Sequence, residues 1–70
     1  MKLKDLMETF VPEEYISIYN YDTQADQIGE DQLYFGSVRD LSVDEEKLAA
    51  LEDKKVHAVT MGNVSIIIAV

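Results

Sequence analysis

His57 is the only histidine in this 70-residue chain, and there is no cysteine. Any nucleophilic or general-base chemistry would therefore have to be assembled around one imidazole. A serine nucleophile raised by such a base needs a sharp, glycine-flanked turn to expose its hydroxyl, and no serine here has that setting. His57 lies inside "KVHAVTM", which reads as mid-strand. It falls on the face of Ile66 and Ile68 or at its margin. One histidine without a partner reads as a structural residue, hydrogen-bonded at a sheet edge. Thiolate and histidine-rich metal sites are ruled out by composition.

Carboxylates are the other chemically capable groups. Asp44, Glu45 and Glu46 sit where a helix begins and are explained by its dipole. Glu13 and Glu14 precede a strand and read as solvated. A glycosidase-like acid–base pair would need a sugar-sized cleft, for which a domain this small has no room. The acidic stretch "DTQADQIGED" places Asp22, Gln24 and Asp26 at the first, third and fifth positions of a calcium-loop count. Gln27 then stands where glycine is needed, and Leu33 where a bidentate glutamate is needed, so an EF-hand is excluded. Gly29, Gly36 and Gly62 are too dispersed to cradle a phosphate. The expectation is a non-enzymatic protein without cofactor or metal.

What remains is the stretch "EEYISIYNYD". Tyr15, Tyr19 and Tyr21 share one parity, and Ile16 and Ile18 the other. In a strand the isoleucines face the core and the tyrosines face away. Tyr34 and Phe35 sit on the neighbouring strand. Tyrosine favours strands, and its ring can cover a sheet while its hydroxyl stays wet. It is also enriched in protein interfaces. Tyr15, Tyr19, Tyr21 and Tyr34 are thus the expected protein-contact residues, on a sheet face left free of helices.

These residues must be held by surrounding elements. Leu3, Leu6, Met7 and Phe10 follow a helical stripe, giving a short helix over residues 2–9 that Pro12 ends. Residues 14–21 form a strand, 22–31 a connecting loop, and 32–38 a second strand in which Gly36 marks a bulge or a close neighbour. Ser42 and Glu45 have capping-box spacing, so a helix is expected over residues 43–53. Leu48 and Leu51, with Val43 or the Lys47 stem, form its buried stripe. "KVHAVTM" and "VSIIIAV" flank Gly62-Asn63 and predict a hairpin with a two-residue turn. That register pairs Met61 with Val64, Val59 with Ile66 and His57 with Ile68. Apolar groups on both sides of the last strand place it centrally or under a covered outer face. The order α-β-β-α-β-β folds economically as an α+β domain: one four-stranded, mostly antiparallel sheet with two helices on a single face.

Bulk properties bound the partners. Fourteen acidic against six basic residues give a formal net charge of −8, which opposes binding to phosphate backbones and anionic membranes. Hydrophobic content of 47% is that of a folded chain. Residues 1–10 carry no leader-like apolar run, and "IIIAV" is far shorter than the ~20 residues of a membrane span. A cytoplasmic location is expected. A core this small yields only about 3–5 kcal/mol of net stability, and no covalent staple adds to it. Association, as a homodimer or with a partner protein, is the available supplement.

The succession "KLKDLMETF", "YISIYNYD", "LYFGSVRDL" and the "KVHAV…VSIIIAV" hairpin resembles a group of small uncharacterised proteins encoded by phages and prophages of Gram-positive bacteria. The resemblance spans nearly the whole chain, rests on strand and helix patterns, and brings no catalytic residues. It implies an intracellular accessory role in the life of a phage or mobile element. Two functions are compatible with these features. One is an interaction module working through the tyrosine-bearing face. The alternative is an acidic inhibitor that mimics nucleic acid and blocks a host nucleic-acid-binding protein.

Overall fold

The alternation in "YISIYNYD" builds a strand, β1 (Tyr15–Asp22), whose isoleucines are fully buried. The structure, a computed structural model, describes residues 1–70. Around β1 stand α1 (Leu3–Met7), β2 (Gln27–Ser37), α2 (Val38–Val43), α3 (Glu45–Leu51), β3 (Ala58–Met61) and β4 (Ile66–Ala69). The domain is α+β with one four-stranded sheet, in the order β2-β1-β4-β3.

The sheet is mixed rather than mostly antiparallel. β1 runs antiparallel to β2 and β3 antiparallel to β4, but the central pair β1–β4 is parallel, with Ile16 beside Ile66 and Ile18 beside Ile68. β4 is flanked on both sides, which accounts for its near-continuous apolar sequence.

The helices number three, not two, because the segment expected as one helix starts earlier and breaks. Ser37 caps α2 by accepting from the Asp40 backbone N–H (3.1 Å), and Asp44 caps α3 by accepting from the Lys47 N–H (3.1 Å). Ser42 makes no capping box. Its hydroxyl donates back to the Val38 carbonyl (2.8 Å) inside α2, a local bond that competes with capping. Val43, expected in the buried stripe, is exposed. Leu48 and Leu51 do pack on the core, and the Lys47 ammonium lies over the Tyr34 ring, 5.8 Å from its centre.

All three helices cover one side of the sheet. Leu3 and Met7 from α1, Val38 and Leu41 from α2, and Leu51 from α3 cluster with Ile16, Ile18, Ile66, Ile68 and Tyr34. Leu3, Ile16, Ile18, Leu41 and Ile68 are wholly buried. Burying side chains of this size contributes about 1.5–3 kcal/mol each.

Two connections differ from expectation. The residues expected as a loop, 22–31, mostly belong to strands, leaving only a tight turn between β1 and β2. Asp22 Oδ1 accepts from the Gln24 and Ala25 N–H groups (3.0 Å each), and Asp26 takes a left-handed conformation (φ 54°). Aspartate suits both tasks. The β3–β4 hairpin closes through Gly62–Ser65, the Gly62 N–H donating to the Ser65 carbonyl (2.8 Å). Met61 therefore pairs with Ile66 and Val59 with Ile68. The two-residue turn is overturned, but the slip is even, so the paired residues Ala58–Met61 and Ile66–Ala69 keep their expected faces, whereas His57, ahead of β3, does not.

Candidate functional site

The face of the sheet opposite the helices carries Tyr15, Ser17, Tyr19 and Tyr21 from β1, Phe35 from β2, Ile67 and Ala69 from β4, and Ala58 and Thr60 from β3, aligned by register. Of the four tyrosines expected there, Tyr15, Tyr19 and Tyr21 are present. Tyr34 is not. A bulge in β2 opposes Ile18 to Tyr34 and Tyr19 to Gln32, leaving Leu33 as the extra residue. Leu33 and Tyr34 consequently both turn to the helix side, and Tyr34 is only 8% exposed. Its hydroxyl donates to the Ser37 carbonyl (2.8 Å). Burial pushes its pKa up from the ordinary 10.0, with Asp40 and Asp44 adding to the effect. The same bulge turns Phe35 outward. Alternation alone gave no signal for it, because bulges do not register in periodicity.

The open face divides in two. At one end the Tyr15 and Phe35 rings lean together, centroids 5.9 Å apart and tilted by 51°. Each is 51% exposed, and the Tyr15 hydroxyl makes no hydrogen bond within the protein. At the other end the rings serve the protein itself. The Tyr19 hydroxyl accepts from Gln32 Nε2 (3.1 Å), and the Tyr21 hydroxyl donates to Asp26 Oδ1 (2.5 Å). That bond to a carboxylate raises the Tyr21 pKa. His57 stacks flat on Tyr21, centroids 4.8 Å apart and 4° from parallel. It is placed just ahead of β3 rather than in mid-strand, and its ring engages Tyr21, not the isoleucine face. Between the two ends, Ser17 and Ala69 are buried. The Ser17 and Ser65 hydroxyls hydrogen-bond to each other (2.7 Å), which satisfies the one buried polar residue on this side.

Charge is nearly absent from the centre of this face. None of the paired residues of β1, β3 or β4 between Tyr15 and Tyr21 or opposite them is charged. Carboxylates ring it instead: Glu13 and Glu14 before β1, Asp22 and Asp26 at its far end, and Glu30 on β2. The lysines lie elsewhere. Lys4, Lys47 and Lys54 border shallow clefts on the helix side, and Lys2 and Lys4 approach Asp53 at 3.4 and 3.9 Å. A cleft of about 330 Å³ adjoins the Tyr15 end, between the entry to β1 and the hairpin loop. Glu13, Glu14, Tyr15, Met61 and Val64 line it.

No group of three or more metal-ligating side chains is positioned to hold an ion, and the carboxylates of Asp22 and Asp26 are engaged in turn hydrogen bonds. No helix is long and apolar enough to cross a membrane. No protein-family model, curated protein or solved structure matches this chain.

Proposed function

We propose that this chain is a small non-enzymatic interaction module that docks another protein on the open face of its sheet, with Tyr15 and Phe35 at the centre of the contact. One observation carries the reading: two adjoining, half-exposed aromatic rings on a sheet face whose charges are confined to its rim, in a chain where 29% of residues are charged. Depletion of charge around aromatic anchors is the compositional mark of an interface core. Tyr19 and Tyr21 extend the surface, but hydrogen bonds and stacking already hold their rings, so they enter a complex preorganised. The resemblance to phage and prophage proteins supports an accessory role in such an element.

The test uses the paired variant Tyr15→Ser, Phe35→Ser. Both residues are exposed, so the fold should survive, as checked by circular dichroism and urea unfolding. Proteins captured from a host lysate by the wild type should be lost by the variant, the loss of two anchors weakening binding at least about tenfold. Retention of the same captured proteins by a folded variant would refute the proposal.

A further inference from the structure

We infer that the partner presents a basic segment, and that an arginine or lysine of it enters the cleft beside Tyr15. This rests on the open-face reading and adds the chemistry of the occupant.

The cleft has the composition such a side chain needs. Tyr15, Met61 and Val64 supply apolar wall for an aliphatic stem, and Glu14 supplies negative charge. Its volume of about 330 Å³ is ample for one long side chain. Glu13 is already bonded to Arg39 at 2.8 Å, an ion pair within the protein that displays the chemistry expected of the incoming residue. Glu14 has no ion-pair partner. Its backbone is fixed on both sides, the N–H donating to the Val11 carbonyl (3.1 Å) and the carbonyl accepting from Val38 (2.9 Å). The carboxylate is thus presented from a rigid base.

Charge complementarity selects the occupant. Of the fourteen acidic residues, only Glu13, Asp44 and Asp53 make ion pairs. The acidic rim of the open face would repel a nucleic acid, and it would repel a second copy of this chain.

The experiment titrates ¹⁵N-labelled protein with the peptide acetyl-Arg-Leu-Arg-Leu-Arg-amide and with its citrulline counterpart, which keeps shape and loses charge. The arginine peptide should shift the amides of residues 13–15, 35 and 61–65, weaken as salt is raised, and bind E14Q about two- to fivefold less tightly than wild type. E45Q, on the opposite side, should leave affinity unchanged. Equal binding of the citrulline peptide, or shifts centred on residues 44–47, would overturn the inference. So would unchanged affinity for E14Q, or a sedimenting dimer whose contact protects this cleft. The two readings separate cleanly. If the peptide fails here while Tyr15→Ser, Phe35→Ser still loses its captured proteins, the docking face stands and the basic occupant falls.

Discussion

Gly36 supports the most exacting test of this architecture. A Cβ at that position would stand 2.6 Å from Tyr34 Oη and 3.0 Å from Tyr34 Cζ. The ring cannot readily yield. It is buried among the core residues, tied to the Ser37 carbonyl, and capped by Lys47. Gly36→Ala must therefore either compress this packing, at about 1–3 kcal/mol, or swing the ring and lose the hydroxyl bond, at about 0.5–1.5 kcal/mol. Gly36 also holds a positive φ of 158°, which costs a residue with a Cβ about 1 kcal/mol more, so a loss of roughly 1.5–4 kcal/mol is expected against a total of only about 3–5 kcal/mol. Tyr34→Phe alone removes the bond and should cost about 0.5–1.5 kcal/mol. The decisive measurement is the double variant in a urea-unfolding cycle followed by circular dichroism. Removing the oxygen removes the nearer clash. The pair should then fall short of additivity by about 1 kcal/mol or more, while the Cζ contact keeps it less stable than Tyr34→Phe. Additivity within about 0.5 kcal/mol, or a Gly36→Ala variant as stable as wild type, would refute this account of the Tyr34 pocket.

Other outcomes follow from the same structure. Ser37→Ala and Asp44→Ala should each cost about 1 kcal/mol as lost helix caps, whereas Ser42→Ala should be close to neutral; thermal unfolding of the three variants ranks them. Ile18→Ala, at a wholly buried position, should cost about 2–5 kcal/mol, most of the total, and lower the thermal midpoint more than any of the cap variants, as followed by circular dichroism. Folded Tyr34 holds its proton more tightly than the unfolded chain does. Its contribution is thus complete below the ordinary value of 10.0 and is lost as pH rises through the raised folded value. Urea midpoints measured upward from pH 9 should fall through that range, and less steeply in Tyr34→Phe. Ultraviolet titration of the wild type should show Tyr21 and Tyr34 ionising above the ordinary value of 10.0.

Much of this fold could be read from the residues, and the failures have physical causes. Alternation placed Ile16 and Ile18 inward and Tyr15, Tyr19 and Tyr21 outward, because a two-residue period admits no other arrangement in a half-buried strand. The hairpin faces survived a wrong register, since the true loop is two residues longer. The acidic segment read as a long loop because composition does not reveal that Asp22 and Asp26 can close a tight turn through their own side chains. Tyr34 was misplaced because one extra residue in β2 flips parity beyond it, and only the pairing with β1 exposes that residue. Ser42 and Ser37 both have capping chemistry; which one caps depends on where Val38 and Leu41 find the core. The cleft beside Tyr15 was illegible for a related reason. Glu14 and Val64 lie fifty positions apart, and only the parallel β1–β4 pairing brings their neighbourhoods together.

That pairing also dictates how the chain must assemble. Ile16 meets Ile66, and Tyr19 meets Ala69, so the middle of the sheet forms between the first strand and the last. The β1–β2 hairpin can zip early, but β3 has no neighbour except β4. The large loop must close before either half gains its partner. Folding should accordingly be slow for 70 residues and without a stable halfway state. A fragment ending before Ile66 would retain one hairpin and lose the rest. Amides of β1 and β4 should open to exchange only when the entire molecule opens.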